Sequence, residues 1–315
     1  MICAFIDAHR DRFGVVPICR ALSAQGIAIA PRTYWARRSR PPSARALKDE
    51  ALTEILAGIY EPDERGRRPP ECLYGSLKMW EHLRRQGIAV ARCTVERLMR
   101  AHGWRGVTRG RQIRTTIPDP GHSRAPDLVH RNFTAGRPGQ LHVADFTYVP
   151  LDGGSFGYTA FVIDVFAGLI AGWECSLSKE TAFVERAIRQ AAALRARQGH
   201  PISGQAVHHS DAGSQYTSVR FAQTLLLAGL MPSAGTVGDA LDNALAETTI
   251  GLYKTECTRA GSPFRAGPVC TLADLEEITS GWVHWYNTSR LMHRLGRRPP
   301  AEAEAEYWRQ AREAA

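Results

Sequence analysis

The sequence lacks the features that mark membrane, secreted and zinc-binding proteins. Its longest apolar runs, such as Ala160–Val165 and Leu225–Met231, are far shorter than the roughly 20 residues that a membrane-spanning helix needs. The N-terminal residues include acids and lack the apolar segment of a signal peptide. The seven cysteines are scattered without a C-x-x-C pair, so neither a disulfide framework nor a structural zinc site is indicated. We therefore predict a cytoplasmic protein with reduced thiols and no membrane contact.

Negative charge is scarce in the first half of the chain. Residues 1–139 hold 25 Lys and Arg against 13 Asp and Glu, a net charge of +12, whereas residues 140–315 hold 15 against 18, a net charge of −3. A high-GC genome would explain a preference for Arg over Lys, but it would not explain this asymmetry. The distribution indicates that the first half binds nucleic acid and that the second half has a different task.

The first half divides into three segments by composition. Residues 1–45 form an N-terminal helical segment that ends in a basic, proline-containing connector, Thr33–Arg45. Residues 46–106 have the apolar spacing of packed helices. Residues 107–139 are rich in Arg, Pro, Gly and Thr without sustained periodicity, which predicts a basic linker and a domain boundary.

The helical segment contains a pattern typical of DNA-binding proteins. Two predicted helices, Glu71–Arg84 and Arg92–His102, flank a turn at Gln86-Gly87. The outer side of the second helix carries three arginines: Arg92, Arg97 and Arg100. This arrangement suits a helix-turn-helix domain that binds DNA. A helical hairpin with solvated arginines is an equally common source of the same pattern.

From residue 140 the pattern changes to strands and longer helices. β-Branched and aromatic runs predict five strands: Leu141–Val149, Phe156–Phe166, Leu169–Cys175, Gln205–His209 and Gly229–Ser233. Helices are predicted after the third, fourth and fifth strands, and Ser178 is the expected N-cap of the first of them. This order predicts an α/β core with a mixed five-stranded sheet over residues 140–260, followed by a C-terminal helical extension over residues 261–315.

Three acidic residues have placements that favour a metal site. Asp145 lies within the first strand, Asp211 directly follows the fourth, and Glu247 lies in the first half of the last core helix. Carboxylates that converge in this way repel each other unless a cation is present, and hard oxygen ligands suit Mg²⁺ or Mn²⁺. Two such ions can activate an attacking hydroxyl and stabilise the leaving oxygen in phosphodiester chemistry. Any one of these acids taken alone is more simply a cap, a turn residue or a solvated charge.

Four motifs carry a resemblance to a known family. They are YGSLKMWEHLRRQGIAVARCTVERLMR (Tyr74–Arg100), HSDAGSQYTS (His209–Ser218), GDALDNALAETTIGLYKTE (Gly238–Glu256) and HWYNTSRLMHRLGRRPPAE (His284–Glu302). Together they resemble the integrase-type transposases of bacterial insertion sequences, which are related to retroviral integrase cores. Within them, the match is to the group whose enzyme is read from two overlapping frames, with this chain as the second frame. The resemblance covers nearly the whole chain.

The resemblance implies a fold, an activity and a set of partners. The fold is a ribonuclease-H-like integrase catalytic core preceded by an all-α, helix-turn-helix-like N-terminal region. The catalytic and metal-binding residues are two aspartates and a glutamate, with 35 residues between the last pair. They carry over to Asp145, Asp211 and Glu247. The implied reaction is Mg²⁺-dependent cleavage at terminal inverted repeats and strand transfer into target DNA. The implied partners are double-stranded DNA, further copies of the chain and an upstream-frame product, with action at the nucleoid.

Five further residues are candidates for the same site. Lys254 lies two helical turns after Glu247 and would contact a DNA phosphate. A solvated lysine without a DNA contact explains its position equally well. His209 is interpreted as a positioning or packing residue rather than a metal ligand. Asp164 either supports the site or caps the end of a strand, and Asp242 and Asn243 are interpreted as an N-cap and loop-fixing residues.

Three functional hypotheses follow from these residues. The first is a transposase that cuts and joins DNA through the three carboxylates. The second is a DNA-binding regulator with a catalytically inactive core, and the third is a stand-alone nuclease of ribonuclease-H type. Retention of all three acids favours the first over the second. The basic first half favours directed DNA binding over a simple nuclease.

Overall fold

A computed structural model describes residues 2–108, 128–129, 133–202, 204–210, 219–234 and 244–314. Contacts between Cα atoms divide the chain into two units, residues 1–56 and 57–315. The finer domain boundaries that the sequence indicates stay a prediction. Over the described ranges no helix is both long and apolar enough to cross a lipid bilayer.

The first unit is helical. Its helices are α1 (Ile2–Phe13), α2 (Val15–Ala24), α3 (Pro31–Ser39) and most of α4 (Ala44–Tyr60). A small core includes Ile6, Ile18 and Tyr34, and the Tyr34 hydroxyl donates a hydrogen bond to Asp7 Oδ1 at 2.7 Å. The prediction of a connector over Thr33–Arg45 is therefore wrong for its first half. Pro31 occupies the first turn of α3, where a missing N–H costs nothing, and the buried Tyr34 ring holds that helix against its neighbours.

The second unit begins with a helix-turn-helix. Helices α5 (Ser76–Arg85) and α6 (Arg92–His102) pack against each other through apolar residues that include Met79, Leu83, Val95 and Leu98. The intervening turn is fixed because Trp80 Nε1 donates a hydrogen bond to the Val90 carbonyl at 2.8 Å. The helix-turn-helix that the sequence predicts is thus present in the structure.

A mixed five-stranded sheet forms the centre of the second unit. Its strands are β1 (Leu141–Pro150), β2 (Phe156–Asp164), β3 (Leu169–Ser176), β4 (Ala206–Ser210) and β5 (Leu230–Ala234). The spatial order is β3-β2-β1-β4-β5; β1, β2 and β3 are antiparallel, while β4 runs parallel to β1 and to β5. The predicted α/β class and the mixed sheet are confirmed, with strand ends within two residues of the predicted ones.

One face of the sheet packs against α7 (Thr181–Arg197) and α8 (Val219–Leu227). The core here contains Val162, Phe183 and Ile188, all almost fully buried. Helix α7 approaches β3 very closely, because a Cβ added at Gly172 would collide with the carbonyl oxygen of Ala187. Helix α7 begins at Thr181 with Glu180 at its N-cap, so the predicted N-cap at Ser178 is wrong. The Ser178 amide instead donates to the Ser176 hydroxyl at the end of β3.

The opposite face packs against α9 (Ala244–Tyr253) and α10 (Leu272–Thr288). A π-helical segment, Lys254–Thr258, continues α9, and α11 (Pro300–Glu313) packs on α10 near the end of the chain. Thr271 and Asp274 form a capping box at the start of α10, which satisfies two of the amide groups that a helix start leaves without partners.

Candidate active site

Asp145 lies on the face of the sheet that packs against α9 and α10. It is opposite Phe161 on β2, and the Phe161 ring contacts the rings of Tyr253 and Trp282 at centroid distances of 5.0 and 5.9 Å. Asp145 is half-buried, and the backbone N–H of Phe146 donates to its Oδ1 at 2.7 Å. The strand therefore orients one carboxylate oxygen before any ligand binds.

Tyr253 anchors the C-terminal end of α9 to this face. Its buried hydroxyl lies 3.2 Å from Thr159 Oγ1 on β2 and 2.6 Å from Thr279 Oγ1 on α10. Desolvation by burial raises the pKa of the Tyr253 phenol well above its ordinary value, so the group stays neutral and serves as a hydrogen-bonding anchor. The next residue, Lys254, begins the π-helical segment that follows this anchor.

Lys254 and Asp145 are close enough to influence each other electrostatically. Partial burial lowers the pKa of the Lys254 ammonium, and the negative charge of Asp145 opposes that shift. The Lys254 Nζ atom also lies 4.8 Å from the centroid of the Tyr148 ring, within cation–π range. An ammonium group in this position is suited to contact a phosphate beside the Asp145 carboxylate.

Glu247 projects from the first turn of the same helix. The buried stripe of α9 is formed by Ala246, Ile250 and Tyr253, and Glu247 lies beside that stripe with an exposed side chain. Since seven residues make almost two full helical turns, Glu247 and Lys254 lie on the same side of the helix. Helix α9 packs on β1, so it carries Glu247 along the strand that holds Asp145.

Three predicted site residues lie outside the described residues: Asp211, Asp242 and Asn243. The described residue directly before Asp211 is Ser210, the last residue of β4. In the parallel register of β4 with β1, Ser210 is the partner of Ala144, which directly precedes Asp145. The residues that precede two of the predicted metal ligands are therefore neighbours across adjacent strands.

The three candidate DNA-binding arginines lie on the outer side of α6. Arg92, Arg97 and Arg100 are all exposed, whereas Val95 and Leu98 face the helix-turn-helix core. Arg92 Nε donates to Glu96 Oε1 at 2.7 Å along the helix surface. An exposed pair of this kind contributes little to stability and can exchange partners when a phosphate approaches.

Both the helix-turn-helix and the sheet with its helices match known protein families. The family described as "Integrase core domain" matches residues 135–240, and a second family of the same description matches residues 228–300. The family described as "HTH-like domain" matches residues 47–112. The matched ranges cover the sheet with its helices and the pair α5 and α6.

Individual relatives extend along almost the entire chain. The transposase of insertion sequence element IS629 from Shigella sonnei is 45% identical over 308 residues, covering 96% of this chain and 95% of the relative. A protein assigned as the transposase of element IS986/IS6110 in Mycobacterium tuberculosis is 45% identical over 282 residues, covering 90% and 97%. The chain belongs to the transposases of bacterial insertion sequences. Among solved structures, this chain is similar to a chain of the simian T-cell lymphotropic virus intasome in complex with PP2A regulatory subunit B56 gamma. The TM-score of that comparison is 0.46 and the sequence identity is 14%. The comparison covers 73% of this chain and 70% of that chain.

A buried ion pair fixes the C-terminal signature of the transposase, His284–Glu302, to the end of α9. Arg290 donates through Nε and Nη2 to both carboxylate oxygens of Glu256, with N–O distances of 2.6 to 3.1 Å. Trp282 Nε1 donates to the same carboxylate at 3.2 Å. Glu256 belongs to the π-helical segment that continues α9, so this pair holds the end of the helix that carries Glu247 and Lys254.

The same signature contacts the sheet and the helix-turn-helix. Asn287 accepts from the amide of Ile170 and donates to its carbonyl, both at 2.9 Å, and so occupies hydrogen-bonding groups on the outer edge of β3. The Tyr74 hydroxyl, just before α5, donates to the Ser289 carbonyl and accepts from the Leu291 amide. Structural anchoring therefore accounts for these signature residues.

Asp164 and His209 have structural surroundings in the transposase. Asp164 is fully buried at the end of β2 and accepts hydrogen bonds from the Phe166 amide and from Arg195 on α7, on the opposite face from Asp145. It therefore closes the turn after β2 and does not face the Asp145 carboxylate. His209 is also buried, with its Nδ1 atom 2.9 Å from Ser233 Oγ on β5. Asp164 thus has the contacts of a strand-end cap, and His209 has those of a positioning or packing residue; their roles in the site stay predictions.

Two buried ion pairs involve residues whose role the sequence does not reveal. Glu304 on α11 accepts from both terminal nitrogens of Arg195, the residue that also binds Asp164. Burial raises the pKa of Glu304, and the Arg195 guanidinium opposes that shift. Glu256 and Glu304 look like ordinary helix acids in the sequence, because only the fold brings each to an arginine more than 30 positions away.

Proposed function

We propose that this transposase cleaves DNA at the ends of its element and joins them to target DNA by using Asp145, Asp211 and Glu247 as metal-binding carboxylates. The observation that carries the proposal is the pairing of Ser210 with Ala144. Adjacent strands lie about 4.8 Å apart. A chain that continues from Ser210 therefore starts beside the residue that leads into Asp145, while α9 brings Glu247 to the same strand.

The donor set is suited to a hard divalent cation. Asp145 and Glu247 offer carboxylate oxygens, half-buried and exposed respectively, which Mg²⁺ or Mn²⁺ prefer to thiolate or imidazole. Among the described residues no group of three or more His, Cys, Asp and Glu side chains is placed to hold a metal ion, and Asp211 is not one of those residues. Asp145, Asp211 and Glu247 would hold the divalent ions, which when bound would supply polarisation of the scissile phosphate and activation of the attacking hydroxyl.

The protein side of this chemistry is the orientation of the reacting groups. The Phe146 amide donates to Asp145 Oδ1 and holds that carboxylate in one direction. Lys254, fixed by its neighbour Tyr253, presents an ammonium group to a non-bridging phosphate oxygen and so positions the scissile strand. The helix-turn-helix, with its exposed Arg97 and Arg100, binds the duplex of the element end.

The proposal extends to partners. Two element ends must be held together for joining, so we propose that the transposase acts as a dimer or larger assembly on double-stranded DNA. A fusion to, or a complex with, the product of an upstream frame belongs to the same proposal. Both are tested by measuring the mass of the complex with element-end duplexes, with and without that product.

The decisive experiment is cleavage and joining of labelled element-end duplexes in Mg²⁺. We expect Asp211→Asn and Glu247→Gln to abolish both steps while binding to the duplex persists, because each substitution removes a charged ligand and preserves shape. Glu277→Gln, an exposed acid on α10, is the matched control and retains activity. If both site variants cut and join as well as the wild type, the three-carboxylate mechanism is wrong. If the wild type binds the ends and never cuts them, the chain is instead a DNA-binding regulator with an inactive core.

A further inference from the structure

A cationic cavity lies within the second unit, away from Asp145 and Glu247. Its volume is about 320 Å³, and it is bordered by the segment after α6 and by the segment after the π-helical turn. Three arginines contribute to its lining: Arg68, Arg105 and Arg259. Tyr60 and Trp104 form part of the wall.

The three arginines bring positive charge together at one cavity, and the charge of Glu71 reaches the same wall at Cys72. All three are exposed, and in the part of the chain that the structure describes their guanidinium groups make no ion pair or side-chain hydrogen bond. Cys72 also lines the cavity. Burial raises the pKa of its thiol, the charges of Arg68 and Arg259 oppose that shift, and the charge of Glu71 adds to it. Like charges gathered around one cavity repel each other, and a bound anion relieves that repulsion.

The wall of the cavity is held rigidly. Trp104 stacks on Tyr60 with ring centroids 5.7 Å apart and on His102 with centroids 4.5 Å apart. The Tyr60 hydroxyl donates to the Tyr74 carbonyl at 2.7 Å. After Trp104 the backbone lies directly against Gly75, since a Cβ added at Gly106 would collide with the Gly75 amide.

Two features favour a phosphate over a nucleobase as the ligand. The Trp104 ring is already stacked on two neighbouring rings of the protein, so the cavity offers charge rather than a vacant aromatic platform. Guanidinium groups present paired N–H donors in a plane, and these match the oxygens of a phosphate. Arginine is accordingly the side chain most often used for planar recognition of this group.

The cavity lies between the end of the helix-turn-helix and the end of the π-helical segment. Arg105 follows the end of α6 by three residues, and Arg259 follows the π-helical segment that starts at Lys254. We propose that Arg68, Arg105 and Arg259 form a binding site for a backbone phosphate of the element-end DNA, between the helix-turn-helix and the π-helical segment that follows α9. This inference rests on the proposed function only in taking DNA as the substrate, and it requires none of the three carboxylates.

The test is the salt dependence of DNA binding by the full chain. Each neutralised phosphate contributes about 0.9 to the slope of log K against log salt concentration. We expect the triple variant Arg68→Gln, Arg105→Gln, Arg259→Gln to lower that slope by about 0.9, the contribution of one phosphate. Between 50 and 200 mM salt, its affinity should therefore fall by a factor about 3.5 times smaller than the factor for the wild type. The probes are a duplex carrying one terminal repeat of the element and a shuffled duplex of equal length. The decrease in slope should be the same for the two duplexes, because a phosphate contact carries no sequence information.

Binding is measured in the presence of a chelator, so failure of the carboxylate mechanism leaves this readout unaffected. Arg312→Gln, which removes an exposed arginine near the end of α11, is the matched control, and all variants should keep the wild-type melting temperature. An unchanged slope in the triple variant overturns the proposal. A loss confined to the terminal-repeat duplex also overturns it, because such a loss would indicate base recognition at these arginines.

Discussion

Removal of Arg290 alone should destabilise the transposase far more than removal of its whole ion pair. Arg290 is 6% exposed and Glu256 is 4% exposed, and three N–O contacts of 2.6 to 3.1 Å join them. At an effective dielectric constant of about 20, two unit charges about 3 Å apart attract each other by about 5 kcal/mol. The variant Arg290→Met keeps most of the side-chain volume and leaves the Glu256 carboxylate buried. Among the described residues, its remaining side-chain hydrogen-bond donor is Trp282 Nε1, and Lys78 is near enough to act on it through charge. We expect a loss of about 3–5 kcal/mol in the free energy of unfolding.

The double variant Glu256→Gln, Arg290→Met separates this cause from lost packing. The glutamine oxygen still accepts from Trp282 Nε1, and no buried charge remains. The double variant should therefore recover most of the loss, since neutral replacements of buried pairs are often tolerated. Arg309→Met, which breaks an exposed pair with Glu306 on α11, is the control and should change stability little.

The assay is urea unfolding followed by the fluorescence of the buried Trp282 and its neighbours. If Arg290→Met costs no more than Arg309→Met, or if the double variant is as unstable as Arg290→Met, the argument from an uncompensated buried charge is refuted. Because Glu256 continues the helix that carries Glu247, the single variant should also lose DNA-cleaving activity at temperatures where it remains folded.

Three further outcomes follow from buried groups. Burial lowers the pKa of His208 to about 3. Below the unfolded pKa of about 6.5, the free energy of unfolding should therefore fall by about 1.4 kcal/mol per pH unit. His208→Phe should remove that part of the slope in urea titrations at several pH values, and an unchanged slope contradicts this. Asn287→Ala should lower the free energy of unfolding by about 1–3 kcal/mol and increase aggregation measured by light scattering, because it uncovers the backbone of Ile170 on the edge of β3. No change in either quantity would contradict the capping role. Gly172→Ala should prevent normal packing of α7, since its Cβ meets the Ala187 carbonyl oxygen, and a wild-type melting temperature would show that the helix can shift instead.

The periodicity of apolar residues predicted an element best where one side of that element, or all of it, is buried. The strand predicted over Leu141–Val149 is β1 (Leu141–Pro150), because β-branched and aromatic residues favour extended backbone. The helix predicted over Arg92–His102 is α6 with the same ends, since its apolar residues recur at helical spacing and Gly103 adopts the left-handed conformation that ends it. In both cases neighbours in sequence supply the deciding interactions.

The prediction failed where distant contacts decide. Prolines and basic residues around Thr33–Arg45 suggested a connector, yet the buried ring of Tyr34 stabilises helix α3 there. Ser178 is a favourable N-cap residue, but the end of β3 engages its amide and the helix starts at Thr181. Asp164 carries the same carboxylate as Asp145, and only the pairing of the strands shows that it faces α7 instead.

The sequence by itself determined the family, the α/β class and the candidate carboxylates, because motifs and periodicity are local properties of the chain. Only the tertiary structure decided which groups meet. It brought Lys254 to Asp145, paired Ser210 with Ala144, joined Glu256 to Arg290 and gathered Arg259 with Arg105. Each of these pairs spans at least 34 residues, and such long-range proximity depends on how the sheet and helices pack rather than on the identity of neighbouring residues.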